Sequence, residues 1–413
     1  MQSSSDRVLV IVRESHKAAD LLAQISGTKR RLGVLAYAEA IESNFDEILE
    51  ANTLDLEMSR EMAISEPIAN WLKLTPERLE MTVALLKQLS KSADPTRRLL
   101  NAPYQLEPSQ TYCQLIPLGT ITLIYEAFPE LAAIAAGMCL KTGNSLITRG
   151  CSVASNSNQT ITKILRQALA ASDLPANSVA AISPDLGISV QELVTQDRYL
   201  NLVIPYGRPS LVHQVAEKAT TTVLKTTIGN CYLYWSQSGD LELTRQVIAD
   251  SHNSEPDAVN AIEKVLVNIN IKPSVLQSLF NNLQQQGFML MGDEALVEKF
   301  PEYLSLTTPE EWRRAYLSKK VAFRYVENLS KAVLWINRYS SGHADCIVTE
   351  SYQESRQFVQ GIDSALVYIN TSPKFSRNPE GGGVFLGMSN QKGYRQGLIS
   401  LETFTAVKQV VQG

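Results

Sequence analysis

The side chains best suited to covalent chemistry near neutral pH are five cysteines, Cys113, Cys139, Cys151, Cys231 and Cys346. A thiolate is both a strong nucleophile and a good leaving group, which suits it to acyl transfer. The five are odd in number and widely scattered, no pair has Cys-x-x-Cys spacing, and the four histidines are equally dispersed. That pattern argues against a disulfide scaffold and against a zinc site, whose ligands come in close pairs. Taken singly, a cysteine is most often a small buried apolar residue. The acid–base candidates are His252 and Glu263. A lone histidine at a helix end is usually a cap or a surface residue, and a glutamate is usually solvated or capping. Glu126 and Lys141 flank a predicted helix, where an acid and a base are common structural choices.

These residues are carried by a helical block followed by alternating strands and helices. Residues 14–98 read as helices, and Thr75-Pro76-Glu77 has the form of a helix start, with Leu79, Val83 and Leu86 on one face beyond it. A polar stretch, Asn101 to Gln110, leads to a short apolar run, Tyr112 to Ile116. Strands are predicted at Ile121–Tyr125, Ser145–Thr148, Val179–Ile182, Leu202–Ile204 and Tyr232–Trp235, with an alanine-rich helix from Pro129 to Leu140 stopped by Gly143-Asn144. A second block has a helix near Leu241–Ser251, strands at Val265–Ile269 and Ala365–Ile369, a glycine cluster at Gly381-Gly382-Gly383, and a strand-like tail, Ala406 to Val411. Strands alternating with helices at these spacings predict right-handed crossovers and parallel sheets, with ligands beyond the carboxyl ends of the strands.

Composition excludes several other classes. The chain has 413 residues, enough for two or three domains, and its 44% hydrophobic and 19% charged content is that of a soluble globular protein. A net charge of −4 argues against nucleic acid as a partner. No apolar run is long enough to span a bilayer, and Met1 to Arg13 lacks the parts of a signal peptide, so a cytoplasmic location is expected.

Several segments together resemble γ-glutamyl phosphate reductase, an aldehyde-dehydrogenase relative that makes glutamate semialdehyde for proline synthesis. They are Pro117-Leu118-Gly119, Tyr125-Glu126-Ala127, Cys139-Leu140-Lys141-Thr142-Gly143-Asn144, Arg149-Gly150, Ile204-Pro205, Ile228-Gly229-Asn230-Cys231, Ala344-Asp345, Val367-Tyr368-Ile369-Asn370, Gln391-Lys392 and Leu401-Glu402. The resemblance implies an α/β fold of aldehyde-dehydrogenase type, with two Rossmann-like parallel-sheet domains and an oligomerisation hairpin. An NADP-binding domain would take residues 1–98 and 117–232, and a catalytic domain residues 233–375. Residues 99–116 and 400–413 would be oligomerisation strands, and 376–399 a glycine-rich connecting segment. The implied cofactor is NADP(H), with Gly119, Lys141, Gly150 and Gly207 as the positions left to hold it.

The same resemblance locates what is missing. The family's thiolate attacks an acyl phosphate to give a thioester, which NADPH reduces. Its Pro-Ser-Ala-Cys-Asn-like stretch corresponds to Pro256-Asp257-Ala258-Val259-Asn260, with Glu263 four residues on, so the nucleophile position falls on Val259. The family's Tyr-Glu-Ala-Arg-Pro-Asn reads Tyr125-Glu126-Ala127-Phe128-Pro129-Glu130, which places Phe128 at a substrate arginine and Glu130 at the oxyanion donor. On the cofactor side Arg149-Gly150-Cys151 and Ile204-Pro205-Tyr206-Gly207-Arg208 depart from glycine-rich motifs, and a ribose-contacting glutamate falls on Phe385. The expectation is a non-catalytic homologue kept for binding or assembly, as a homo-oligomer or with another protein. The alternatives are an active glutamate-5-semialdehyde dehydrogenase using a non-cysteine route, and a nucleotide-binding sensor.

Overall fold

Apolar residues at helical spacing wind the amino-terminal block. The computed structural model describes residues 4–107, 109–253, 257–377, 382–392 and 397–413. Its helices are α1 (Ser4–Gln24), α2 (Gly27–Glu42), α3 (Phe45–Glu61), α4 (Glu66–Leu72) and α5 (Pro76–Lys91). The first starts well before residue 14, because Val8 and Val12 are fully buried and pack with Ile124, Ile147 and Val203. Helix α5 starts as its sequence predicts, with the Thr75 hydroxyl accepting the Arg78 N–H at 3.3 Å. Pro256 and Gly381 lie outside the described residues.

The chain divides into two compact units. One comprises Met1–Thr226, Arg377–Leu386 and Leu398–Gly413; the other comprises Thr227–Ser376 and Gly387–Gly397. In the first, β1 (Leu99–Asn101) lies antiparallel to β2 (Gln110–Pro117). The C-terminal strand Thr405–Gln412 pairs antiparallel along the other edge of β2, from Thr405 opposite Pro117 to Gln412 opposite Gln110.

The same unit continues through β3 (Thr120–Tyr125), α6 (Pro129–Thr142), β4 (Ser145–Arg149), α7 (Ser155–Ala171), β5 (Val179–Ala181), α8 (Val190–Val194), β6 (Leu202–Tyr206) and α9 (Pro209–Lys218). The parallel sheet has the order β5-β4-β3-β6. Chain order therefore reverses between β3 and β6, and the crevice at their carboxyl ends is the place where such sheets take ligands. Every residue of α6 is buried, and Gly143, in the left-handed region at φ +79°, ends it. A side chain at Gly143 would meet the Arg30 guanidinium at 2.2 Å, so the turn requires glycine.

The second unit runs through β7 (Cys231–Trp235), α10 (Leu241–Ser251), β8 (Ile262–Asn268), α11 (Pro273–Gln285), β9 (Met289–Gly292), α12 (Glu294–Lys299), β10 (Ser305–Leu306), β11 (Lys320–Val326), α13 (Leu329–Tyr339), β12 (Ala344–Val348), α14 (Tyr352–Gly361) and β13 (Leu366–Ile369). Its parallel sheet has the order β10-β9-β11-β8-β7-β12-β13. The central strands are buried on both faces. Leu233, Trp235, Val265 and Val267 enter one core, while Tyr232, Tyr234 and Leu266 enter the other. Side chains of this size stabilise by about 1.5–3 kcal/mol each when fully buried, which favours two-sided coverage by helices.

Candidate functional site

At the reversal point of the first sheet, an ion pair bridges the ends of β3 and β6. The Glu126 carboxylate accepts the Arg208 main-chain N–H at 2.8 Å and Nε–H at 2.9 Å, and pairs with a terminal guanidinium nitrogen at 2.8 Å. Gly207, at φ +148°, makes this possible: a Cβ there would stand 2.7 Å from Glu126 Oε2. Phe128 is fully buried, stacked on Trp71 at 4.6 Å and edge-on to Tyr206 at 5.5 Å. The crevice end is therefore filled by a salt bridge and an aromatic cluster.

Glu130, in the first turn of α6, is buried and ion-paired with Arg78. Arg78 also donates to the carbonyls of Trp71 at 3.1 Å and Asn70 at 3.3 Å. Glu130 Oε2 and Arg78 Nε have no hydrogen-bond partner among the described residues. The carboxylate is thus paired with a fixed cation.

Beyond the ends of β4 and β5 lies a cleft of about 340 Å³, lined by Thr148, Gly150, Ser155, Asn158, Gln159 and the segment 181–186. Gly150 is needed for packing as well, since a Cβ there would fall 2.0 Å from Asn158 Nδ2. Asn158 in turn accepts the Tyr125 hydroxyl at 2.8 Å. Of the glycines and lysine expected to hold a cofactor, Gly150 and Gly207 stand at strand carboxyl ends. Gly119 precedes β3 at the opposite end of the strand, where its N–H donates to Asn144 Oδ1 at 2.8 Å. Lys141 is buried on α6 with Nζ donating to the Ser90 carbonyl at 3.0 Å. Cys151 is half-buried, and burial, reinforced by the Glu126 charge, pushes its thiol up to about 11. It is almost wholly protonated at neutral pH and a poor nucleophile.

In the second unit, Val259 sits in the turn leading into β8 and is fully buried. Its carbonyl accepts the Gly229 N–H at 2.8 Å and lies 2.9 Å from His343 Nε2, which must carry the proton to bond a carbonyl. His343 is enclosed, with Cys231 Sγ at 3.4 Å from Nε2 and Ser341 Oγ at 2.9 Å from Nδ1. Burial pushes its pKa down to about 4, so it stays neutral. Burial pushes the Cys231 and Cys346 thiols well up.

Glu263 corrects its sequence reading as a solvated or capping residue. It is fully buried and accepts three main-chain N–H groups, from Asn230 at 2.9 Å, Tyr316 at 2.7 Å and Leu317 at 2.8 Å. It ties two loops to β8, and its Oε2 lies 3.4 Å from Lys264 Nζ. Beside it, Lys264 is buried with Nζ donating to the Arg314 carbonyl at 3.0 Å and lying 3.6 Å from the Tyr316 ring centre. Burial pushes the Lys264 pKa down to about 8. Sequence reasoning missed this lysine and Arg78, because neither lies in a recognisable motif. His252 ends α10 as predicted for a cap, with Nε2 bonded to the Ile262 carbonyl at 2.9 Å.

The model of the aldehyde dehydrogenase family matches residues 1–290. Over 407 residues the chain is 56% identical to γ-glutamyl phosphate reductase 2 of Synechocystis sp., covering 98% of this chain and 97% of that protein. It is 35% identical over 415 residues to γ-glutamyl phosphate reductase of Gloeobacter violaceus, covering 100% and 99%. The crystal structure of γ-glutamyl phosphate reductase from Thermotoga maritima matches with a TM-score of 0.89 at 31% identity, covering 98% of each chain. The protein belongs to the aldehyde dehydrogenase family. Within that family it groups with the γ-glutamyl phosphate reductases.

Proposed function

We propose that this chain is a γ-glutamyl phosphate reductase homologue that does not run the reductase reaction and acts through binding or assembly. The observation that carries the reading is Val259. A valine at the nucleophile position has no lone pair for the acyl carbon, and losing a covalent nucleophile costs on the order of 10⁶ in turnover. No other thiol takes its place. Cys139, Cys231 and Cys346 are buried and raised in pKa by burial, Cys151 is pushed up to about 11, and Cys113 is buried on β2. Glu130 adds a carboxylate where the family reaction would need a hydrogen-bond donor.

Assembly with a second copy is the role best supported by the fold. The C-terminal strand Thr405–Gln412 uses one edge to pair with β2, and Val407 and Val411 on it are about half exposed. An edge with such residues favours a protein partner over solvent. No helix among the described residues is long and apolar enough to cross a membrane.

The test is direct. Purified protein, supplied with glutamate semialdehyde, phosphate and either nicotinamide cofactor, should show no reduction of the cofactor. Turnover within about a hundredfold of an active reductase would overturn the proposal in favour of a non-cysteine route.

A further inference from the structure

The cofactor that the resemblance implies, NADP(H), does not fit the first unit's cleft in one respect. It differs from NAD(H) by a ribose 2′-phosphate, which needs a cation beside it, whereas an unmodified ribose diol is met by a carboxylate. None of the residues lining the cleft is lysine, arginine or histidine. The charged side chain among them is Asp185, exposed on the rim. Its Oδ2 is fixed by the hydroxyls of Ser155 at 2.9 Å and Ser183 at 2.8 Å, while Oδ1 accepts no hydrogen bond among the described residues.

The start of α7 offers a phosphate no substitute for the missing cation. A helix amino terminus binds anions through its free N–H groups. Here the Asn156 and Ser157 N–H groups donate at 3.0 Å and 2.8 Å to Asp55, a carboxylate only 1% exposed. The anion place at this helix end is already occupied by the protein.

We infer that the cleft takes the adenosine of a nucleotide with a free 2′,3′-diol, such as NAD(H) or ADP, its 5′-phosphates directed out of the cleft, and that Asp185 excludes the 2′-phosphate of NADP(H). The diol donates to the open Asp185 oxygen, and the cleft volume of about 340 Å³ lies within the range of small-molecule sites. A phosphate placed some 6 Å from that carboxylate in water would lose about tenfold in affinity. This inference concerns binding and does not depend on whether the reductase reaction runs.

Isothermal titration of the full chain with two matched pairs tests it: NAD⁺ against NADP⁺, and 5′-ADP against 2′,5′-ADP. The expected result is that the 2′-phosphorylated member of each pair binds at least about tenfold more weakly. Asp185→Arg, with its melting curve checked against the parent, should narrow or reverse that preference. Equal or tighter binding of the 2′-phosphorylated members, no binding by any of the four, or an unchanged preference in the folded variant would each overturn it. Because the readout is binding, these failures are distinct from the appearance of turnover, which bears on the reductase proposal.

Discussion

The Arg78–Glu130 pair offers the sharpest energetic test of how this site is built. Their side chains are 11% and 7% exposed, so water screens the pair little. Arg78→Met would leave Glu130 buried beside its own unpartnered Oε2, and removing one member of a buried pair costs about 3–5 kcal/mol. Glu130→Gln should cost less, because Arg78 keeps the carbonyls of Trp71 and Asn70. The double variant removes both charges together, so it should be less destabilised than the sum of the singles by about 1–3 kcal/mol. Urea unfolding of the four proteins, followed by circular dichroism and by the fluorescence of the four tryptophans, Trp71 among them, measures the cycle. Additivity within about 0.5 kcal/mol would refute the reasoning, since it would mean the two charges do not sense each other.

Val259→Cys alone should leave the protein inactive in the semialdehyde assay. The new thiol would be as buried as the valine, and Glu130, Phe128 and Arg208 would remain; strong activity from this one change would show that those three residues do not obstruct the reaction. Burial depresses the His343 pKa to about 4 from an ordinary value near 6.5, so its contribution to stability is whole above pH 6.5 and is lost as pH falls towards 4. His343→Asn should therefore flatten the pH dependence of the urea midpoint across that window, by on the order of 3 kcal/mol, and an unchanged slope would mean the imidazole titrates in solvent. Light scattering should find the intact protein dimeric or larger. Truncation after Glu402, which removes the C-terminal strand, should yield aggregated or unfolded material, and a soluble monomer would show that the strand is not an assembly surface.

Much of the fold was legible because its strands and helices announce themselves locally. Thr75-Pro76-Glu77 starts α5, the helix at Leu241–Ser251 has the bounds its sequence suggests, and the strands of the first sheet end within two residues of their expected positions. The amino-terminal part of α1 was not legible: the run Val8-Leu9-Val10-Ile11-Val12 is rich in β-branched residues, and packing against the first sheet overrides that preference. Strand β8 begins at Ile262, not Val265, because Glu263 and Lys264 look like solvated charges in a linear reading and are in fact buried. β11 was missed for a related reason, since Lys320 and Arg324 interrupt its apolar pattern. The partnerships that matter join residues far apart in sequence: Arg78 with Glu130 and Glu126 with Arg208 in the first unit, Val259 with His343 in the second. Charge pairing across such separations leaves no periodicity or spacing to read, and Glu263 is held by main-chain N–H groups that any residue could supply.

The pairing of β2 with the C-terminal strand bears on how the chain is made. Strand β2 ends at Pro117, and the residues opposite it begin at Thr405, about 290 positions later in translation. At roughly 5–20 residues per second, a ribosome takes about 15–60 s to cover that interval. Throughout it one edge of β2, a row of main-chain N–H and C=O groups, lacks its mate. The nascent protein therefore passes through a long window in which a sticky edge is open to chaperones or to neighbouring chains on the same polysome, and the eight-residue strand Thr405–Gln412 is the one that closes it.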